Sequence, residues 1–108
     1  MKRFAANRVC YVSTQTMLKN HVVEVDEKNH QVIHVFGLEE EIRQTEWLGG
    51  IILISADCPE RTAGESFATY LQKIKSLQIE GSSLYAYHIT AFNVNLMEFT
   101  TESRIICL

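Results

Sequence analysis

The chain has no long apolar run and no concentration of positive charge. No apolar stretch approaches the roughly 20 residues that a membrane span needs, and residues 1–8 lack the long apolar segment of a signal peptide. Ten lysines and arginines stand against 13 acidic residues, so no cationic groove is available to hold a nucleic-acid backbone. These absences predict a cytoplasmic protein with neither a membrane nor a nucleic-acid partner.

Cysteine and proline are also scarce. The three cysteines are an odd number at wide spacings, which fits reduced thiols better than a disulfide framework. Cys10 and Cys107 lie among strand-forming residues and are expected to be small apolar core residues. Cys58, beside the only proline, is expected to be the exposed one. The neighbouring carboxylate of Asp57 disfavours ionisation of the Cys58 thiol, which argues against a nucleophile there.

The four histidines are spaced too irregularly for a zinc finger or a helical metal site. His34 and His88 lie inside strand patterns and are expected to be hydrogen-bonded residues of a sheet. His21 and His30 flank a predicted hairpin and form at most a facing pair, short of the three or four ligands of a zinc site. The acidic run at 39–41 favours a solvated loop face over a cation site. The sequence predicts no metal and no cofactor.

What the chain does contain is a series of strand-like segments. Runs of β-branched and aromatic residues predict strands at 4–12, 21–25, 31–36, 51–55, 84–94 and 97–108. The polar residues 26–29 include Asp and Asn, which tolerate turn geometry, so the second and third strands are expected to form a hairpin. The pair Gly49 and Gly50 precedes a strand rather than opening a helix, which indicates a turn or bulge and not a phosphate loop.

One helix is predicted over about 62–79. Apolar residues recur at three- and four-residue steps, at Phe67, Tyr70, Leu71, Ile74 and Leu77. Residues 62–65 match a capping box, and Gly81 stands where a left-handed stop belongs. The pattern as a whole predicts one domain over 1–108, mainly β with one helix (α+β), built as a small β-sandwich.

Several segments resemble the N-terminal strands of metal-dependent amidohydrolases. They are residues 3–9 (RFAANRV), 22–26 (VVEVD), 32–36 (VIHVF) and 46–53 (EWLGGIIL). The ending, residues 97–108 (MEFTTESRIICL), is similar to the closing segment of that family. In the family, both ends of the chain join into a composite β domain beside a catalytic barrel. The resemblance implies a sheet formed by N- and C-terminal strands, with the predicted helix bridging the place of the barrel.

The family's metal-binding His-x-His pair is missing from this chain. After residues 51–55 the sequence continues with 56–60 (ADCPE), which contains no histidine. The barrel strands that supply the family's later ligands have no counterpart either. The resemblance therefore carries no catalytic or metal-binding residue to any position here, and we expect a protein that is not an enzyme.

Two functions remain open. The first is a non-catalytic β domain that associates with a second copy as a homodimer, or with another protein. The candidate interaction residues are Trp47, Phe67 and Tyr70, although the favoured interpretation of Trp47 is a packing anchor in the core, with contact to a partner as the alternative. The alternative is a small ligand-binding protein or enzyme with a pocket between sheet and helix. Its expected lining residues are His34, His88 and Cys58.

Overall fold

The secondary structure consists of seven strands and one helix in the part of the chain that the computed structural model describes, residues 1–37, 44–78 and 81–108. The strands are β1 (Lys2–Tyr11), β2 (Thr16–Val25), β3 (Val32–Gly37), β4 (Thr45–Trp47), β5 (Ile51–Ser55), β6 (Tyr85–Ile89) and β7 (Ile105–Cys107), and the helix is α1 (Phe67–Ser76). The prediction of a mainly β fold with a single helix is confirmed. Among these residues, no helix has the length and apolar character needed to cross a membrane.

The strands form one mixed sheet, in the order β3-β2-β1-β5-β6-β7, with β4 beside the first part of β1. β1 pairs antiparallel with β2 along one side and parallel with β4 and β5 along the other. Of the two expected arrangements, the chain thus adopts a single sheet rather than two stacked sheets. The first and last strands belong to this sheet and are separated by β5 and β6.

The predicted hairpin forms between β2 and β3, and Asp26 organises its turn. The Asp26 Oδ1 atom accepts hydrogen bonds from the backbone N–H groups of Lys28 at 2.7 Å and Asn29 at 3.1 Å. These bonds from Asn29 and Lys28 lower the pKa of the Asp26 carboxyl group. An aspartate that bonds its own backbone in this way favours a turn over a continued strand, which is why the local sequence sufficed for the prediction.

The sheet curls until the start of β3 reaches β6. Gln31 forms an isolated antiparallel bridge with Tyr85, and the Val32 N–H group donates to the Leu84 carbonyl at 2.8 Å. The curl encloses an apolar cluster on one face of the sheet. Its buried members are Phe4, Ala6, Val9, Val23, Val25, Ile52, Ile54 and Ala86.

A second apolar cluster lies between the sheet and α1. Its buried members are Cys10, Val12, Ile51, Leu53, Phe67, Tyr70, Ile74, Ile89 and Phe92. Successive residues of β5 contribute to opposite clusters, because side chains alternate between the faces of a strand. All five residues of β5 are buried, which explains the continuous apolar run at residues 51–54 of this strand.

The start of the helix lies later than predicted. α1 begins at Phe67, after Ser66, whose side chain accepts a hydrogen bond from the Thr69 N–H group at 3.2 Å. The predicted capping pair forms a separate turn instead, in which Glu65 Oε1 accepts from the Thr62 N–H group at 3.0 Å. Gly64 has φ = 78°, so the backbone between these two residues is not helical.

The helix also ends earlier than predicted. Its last residue is Ser76, and the Leu77 N–H group donates to the Ile74 carbonyl at 2.9 Å as a C-cap. The end predicted at residue 79 lies outside the described residues, as does the acidic run at 39–41. Gly81 has φ = 84°, the left-handed conformation expected of it, but it lies beyond the cap rather than at it.

The two long C-terminal strand predictions are wrong over most of their length. Of the strand predicted at 84–94, only β6 forms, and it ends at Ile89. Of the strand predicted at 97–108, only β7 (Ile105–Cys107) forms. The segment between them is folded into turns. Asn93 and Glu98 exchange two backbone hydrogen bonds of 3.0 and 3.1 Å, and Ser103 Oγ accepts from the Thr100 N–H group at 2.9 Å. These local bonds compete with a ladder for the same backbone groups.

Candidate interaction surface

Trp47 lies at the surface, at the end of β4. Ala5 of β1 is its Cα partner in the parallel pairing, and 52% of the tryptophan is exposed. The indole Nε1 atom lies near Gly49, 3.7 Å from the position that a Cβ atom on that glycine would take. Trp47 is therefore not a core anchor, and its ring is available for contact with another molecule.

A cross-strand row connects Trp47 to the rest of the sheet. Paired residues of neighbouring strands lie side by side on one face, and the successive pairs here are Phe36 with Val22, Val22 with Ala5, and Ala5 with Trp47. We call these four residues the Trp47 row. Val22 and Ala5 are buried, Phe36 is partly buried, and Trp47 is half exposed. The row is apolar over its whole length.

The next row on the same face is polar. Glu24 pairs with Arg3 and with His34 in the two ladders, and the Arg3 Nε atom lies 2.7 Å from Glu24 Oε2. The His34 ring contacts Phe36 of the Trp47 row edge-on, with centroids 5.7 Å apart. The exposed end of the Trp47 row, Trp47 itself, thus lies near hydrogen-bonded charges, as the apolar centre of a protein interface lies within a polar rim.

Phe67 and Tyr70, the other two candidate interaction residues, lie in the core and not at the surface. Phe67 is 3% exposed and Tyr70 is fully buried. The Phe67 ring packs edge-on against Phe92 at 4.7 Å, and Tyr70 packs edge-on against Phe99 at 5.5 Å. The apolar stripe of α1 is therefore covered by the chain itself, because it seals the cluster between helix and sheet.

A cleft of about 610 Å³ lies at the N-terminal end of α1 rather than between the helix and the sheet. Its polar groups are bonded to the protein. Glu98 Oε1 accepts from the backbone N–H groups of Phe67 at 2.5 Å and Phe99 at 3.1 Å. Arg61 donates to the Thr100 carbonyl at 2.9 Å and lies 4.7 Å over the Phe99 ring. The lining residues include none of His34, His88 and Cys58.

The thiols are arranged differently from the prediction in two of three cases. Cys10 is buried as expected, but Cys107 is exposed and Cys58 is half-buried. Cys107 lies on the last strand of the sheet, where no further strand of the described chain covers it. Burial raises the pKa of Cys10 to about 11 and that of Cys58 to about 12. Both thiols are protonated at neutral pH, which does not suit a nucleophile.

The histidines do not converge on a site. His21 pairs with Ala6 and Gly37 in the sheet, whereas His30 lies in the turn and bonds the Leu108 carbonyl through Nδ1 at 3.1 Å, so the facing pair does not form. His88 Nε2 lies 3.3 Å from the Gly49 carbonyl, and burial lowers the pKa of this ring. No group of three or more His, Cys, Asp or Glu residues that could hold a metal ion occurs in the described ranges.

Gly50 fixes the join between β4 and β5, and its replacement by alanine is expected to destabilise the protein. Gly50 has φ = 59°, and a Cβ atom there would lie 3.3 Å from the Ile89 carbonyl oxygen. Gly64, with φ = 78°, has open space around the same position and is the matched control. Both substitutions strain the backbone, by roughly 1–2 kcal/mol, and Gly50→Ala adds an overpacking cost of about 1–3 kcal/mol. Equal losses in urea unfolding would contradict this account.

Neither a protein-family model, a curated protein nor a solved structure matches this chain. The interaction surface is therefore characterised by its own geometry alone. Its distinguishing feature is a half-exposed tryptophan that continues an otherwise covered apolar row. The sequence offered Trp47 as a candidate contact but favoured a packing anchor, which its exposure shows to be wrong, and it did not indicate the row, which depends on the register of four strands.

Proposed function

We propose that this chain is a non-catalytic β domain that acts by association, with a second copy or with another protein. The observation that carries this function is the exposure of Trp47 at the end of the Trp47 row. Tryptophan is enriched at the energetic centres of protein interfaces, because its large ring can be desolvated at little entropic cost.

The remaining exposed area of Trp47 is large enough to matter energetically. A tryptophan side chain buries about 150–250 Å², so covering the exposed half removes roughly 100 Å² from water. At about 25 cal/mol per Å², this contributes roughly 2–3 kcal/mol to association. The Arg3–Glu24 ion pair beside the row would then lie at the rim, where it contributes to orientation more than to affinity.

The resemblance to the composite domain of amidohydrolases supports the same function. In that family the composite domain packs against a catalytic barrel, so a chain with only the composite strands would offer its apolar face to another chain. The placement of β1 and β7 in one sheet is compatible with such a domain. Reduced cysteines, one of them exposed, support a cytoplasmic location.

Replacing Trp47 by alanine is expected to abolish association while leaving the fold intact. The buried half of the Trp47 ring, about 100 Å², contributes roughly 2–3 kcal/mol to folding by the same area coefficient, so the melting temperature should fall by roughly 10–20 °C while the chain stays folded at room temperature. Sedimentation equilibrium measures association of the purified chain, and quantitative binding to a purified co-isolated protein measures a heterologous partner. Leu96→Ala is the control, because Leu96 is 76% exposed on a turn outside the Trp47 row. Equal association of both variants would contradict the proposed function.

The alternative of a small ligand-binding protein has one observation in its favour, the cleft at the start of α1. Its three charged side chains weaken this alternative, since Glu65 already accepts from the Thr62 N–H group and from Lys73 Nζ. Glu98 and Arg61 are already bonded to backbone groups of the cleft wall, and a ligand would have to compete with those bonds. Association through Trp47 requires no such exchange.

A further inference from the structure

β7 ends the sheet, and its outer edge carries no strand among the described residues. The strand pairs with β6 alone. The Thr90 N–H group donates to the Arg104 carbonyl at 2.8 Å, and the Leu108 N–H group donates to the Ala86 carbonyl at 2.9 Å. Antiparallel ladders use every second residue, so residues 104, 106 and 108 bond β6. The N–H and C=O groups of Ile105 and Cys107 therefore point away from the sheet.

Apart from its length of only three residues, this edge lacks the features that normally protect edge strands. Sheets protect exposed edges with charges, prolines, bulges or a covering segment. The opposite edge follows that rule, because the β2–β3 ladder is irregular between Glu24 and Val25 and the chain before β3 bridges to β6 at Gln31. β7 reads Ile-Ile-Cys, without charge or proline, and its central residue, Ile106, is 47% exposed.

We propose that β7 pairs antiparallel with β7 of a second copy, about a twofold axis that passes through Ile106. This inference rests on the part of the proposed function that assigns association with a second copy, and it places that contact on β7 rather than on Trp47. In this register, Ile105 lies opposite Cys107 of the second copy, and Cys107 lies opposite Ile105. The two sheets continue into each other across the axis.

The strand is complementary to itself in this register. Ile105 and Cys107, whose N–H and C=O groups point away from the sheet, flank Ile106 symmetrically. The two N–H and two C=O groups of each copy can therefore all form hydrogen bonds with the other copy. If the two strands shift by one residue, Ile105 and Cys107 of one copy lie opposite residues of the other copy whose backbone groups already bond β6. A register centred on Ile105 would require the Ser103 N–H group, which already donates to the Thr100 carbonyl at 3.2 Å.

Charge and side-chain packing favour a second copy in the same register. Arg104 falls opposite Leu108 of the second copy and not opposite its own equivalent, so no like charges meet. Ile106 falls opposite Ile106, in the closely spaced type of pair, where side chains approach most nearly. Both isoleucines lie on the face of His88, their neighbour in β6, and pairing removes their exposed portions from water.

Cysteine cross-linking tests the register directly. In a C58A/C107S background, Ile106→Cys should form a disulfide-linked dimer on mild oxidation, because closely spaced Cα atoms about 4.5 Å apart fall within the disulfide range. Ile33→Cys in the same background is the matched control, since Ile33 is also 47% exposed but lies on β3. Pairing raises the local thiol concentration, so I106C should cross-link about tenfold faster or more. Equal rates would overturn the inference.

Cys107→Pro tests the hydrogen bonds without touching the β6 ladder. Cys107 is one of the outward-facing residues, and proline is tolerated in an edge strand where the N–H group faces away. This variant should be monomeric in sedimentation with an unchanged circular dichroism spectrum, whereas Cys107→Ser should remain a dimer. If C107P does not fold, the comparison of I106C with I33C still decides.

The same sedimentation series distinguishes this inference from the proposed function. Loss of the dimer in C107P but not in W47A supports pairing through β7 and contradicts Trp47 as the contact between copies, which leaves Trp47 only a heterologous partner. Loss in W47A but not in C107P overturns the β7 pairing and leaves association through Trp47 standing. A wild-type chain that stays monomeric at about 100 μM, a concentration at which even weak homodimers with micromolar Kd are populated, overturns the β7 pairing.

Discussion

Tyr70→Ala is expected to lower the free energy of unfolding by about 3–5 kcal/mol, the range measured for removal of a large buried aromatic side chain. The Tyr70 ring is fully buried between α1 and the sheet and packs edge-on against Phe99 at 5.5 Å. Lys73 covers the ring from the helix side, with its Nζ atom 5.0 Å from the ring centroid. Alanine would leave a cavity that the neighbouring rings cannot fill without leaving their rotamers.

Tyr70→Phe separates the ring from its hydroxyl group. The Tyr70 hydroxyl donates to the Pro59 carbonyl, which ties the loop before α1 to the helix. Phenylalanine keeps the ring and leaves that carbonyl without its donor, so a loss of about 1–3 kcal/mol is expected. Leu77→Ala, at a residue 48% exposed just after the same helix, is the control and should cost about 1 kcal/mol or less. If L77A and Y70A lose equal stability in urea unfolding, the helix is not anchored through Tyr70.

The elements that sequence patterns predicted well are those decided by local interactions. The β2–β3 hairpin needs the bonds from Asp26 to its own turn, and the stripe of α1 needs the three- and four-residue spacing of Phe67, Tyr70 and Ile74. Both signals lie within a few residues of the chain. The same locality explains the error at the start of α1, because residues 62–65 do form a bonded turn, although not a helical one.

The segment between β6 and β7 was mispredicted because its apolar residues serve the core from turns. Phe92 is buried, and Phe99 packs edge-on against Phe67 at 5.6 Å, so both give an apolar pattern without a ladder. Ala91 and Met97 each have φ = 50°, a conformation outside the strand region. Whether an apolar residue reaches the core from a strand or from a turn is a tertiary property, and composition does not encode it.

The sequence offered Trp47 as one candidate contact residue, but it did not predict where the residue lies. Tryptophan is a frequent interface residue, so Trp47 could be selected from the sequence alone. Its exposure follows from the parallel pairing of β4 with the first part of β1, a contact between residues about 40 positions apart in the chain. Phe67 and Tyr70 were misplaced for the converse reason, since the sheet that buries them is distant in sequence.

The Trp47 row and the edge of β7 belong to different parts of the sheet. β4 lies beside the first part of β1, whereas β7 lies two strands beyond β5. Substitutions in one region should therefore leave the other unchanged, and their effects on association should add. A homodimer formed through β7 would carry two copies of the Trp47 row, which suits a dimer that presents paired surfaces to a further partner.

Alkaline pH is expected to destabilise the fold progressively above about pH 8.5, the ordinary pKa of a cysteine thiol. Burial raises the pKa of Cys10 to about 11, of Cys58 to about 12 and of Tyr87 to about 12, and it also raises the pKa of Tyr70. Above their ordinary pKa values these groups lose protons in the unfolded chain but keep them in the folded one. Unfolding then releases protons, so the stability that is fully present below about pH 8.5 declines as pH rises.

The expected size of this decline is set by the number of retained protons. Between its pKa in the unfolded chain and its pKa in the folded chain, each fully buried group lowers the free energy of unfolding by about 1.4 kcal/mol per pH unit. Cys10 alone therefore lowers it by about 3 kcal/mol at pH 11. Half-buried Cys58 adds a smaller amount, and the tyrosines contribute above about pH 10. Urea unfolding at pH 8 to 11 measures how steeply the free energy of unfolding falls with pH. Cys10→Ala should reduce this slope by the equivalent of about one proton released on unfolding. Cys107→Ser is the control at an exposed thiol and should leave most of the pH slope unchanged. Equal slopes for wild type and C10A would contradict the prediction, because the buried Cys10 thiol would then not be the group that keeps its proton in the folded chain.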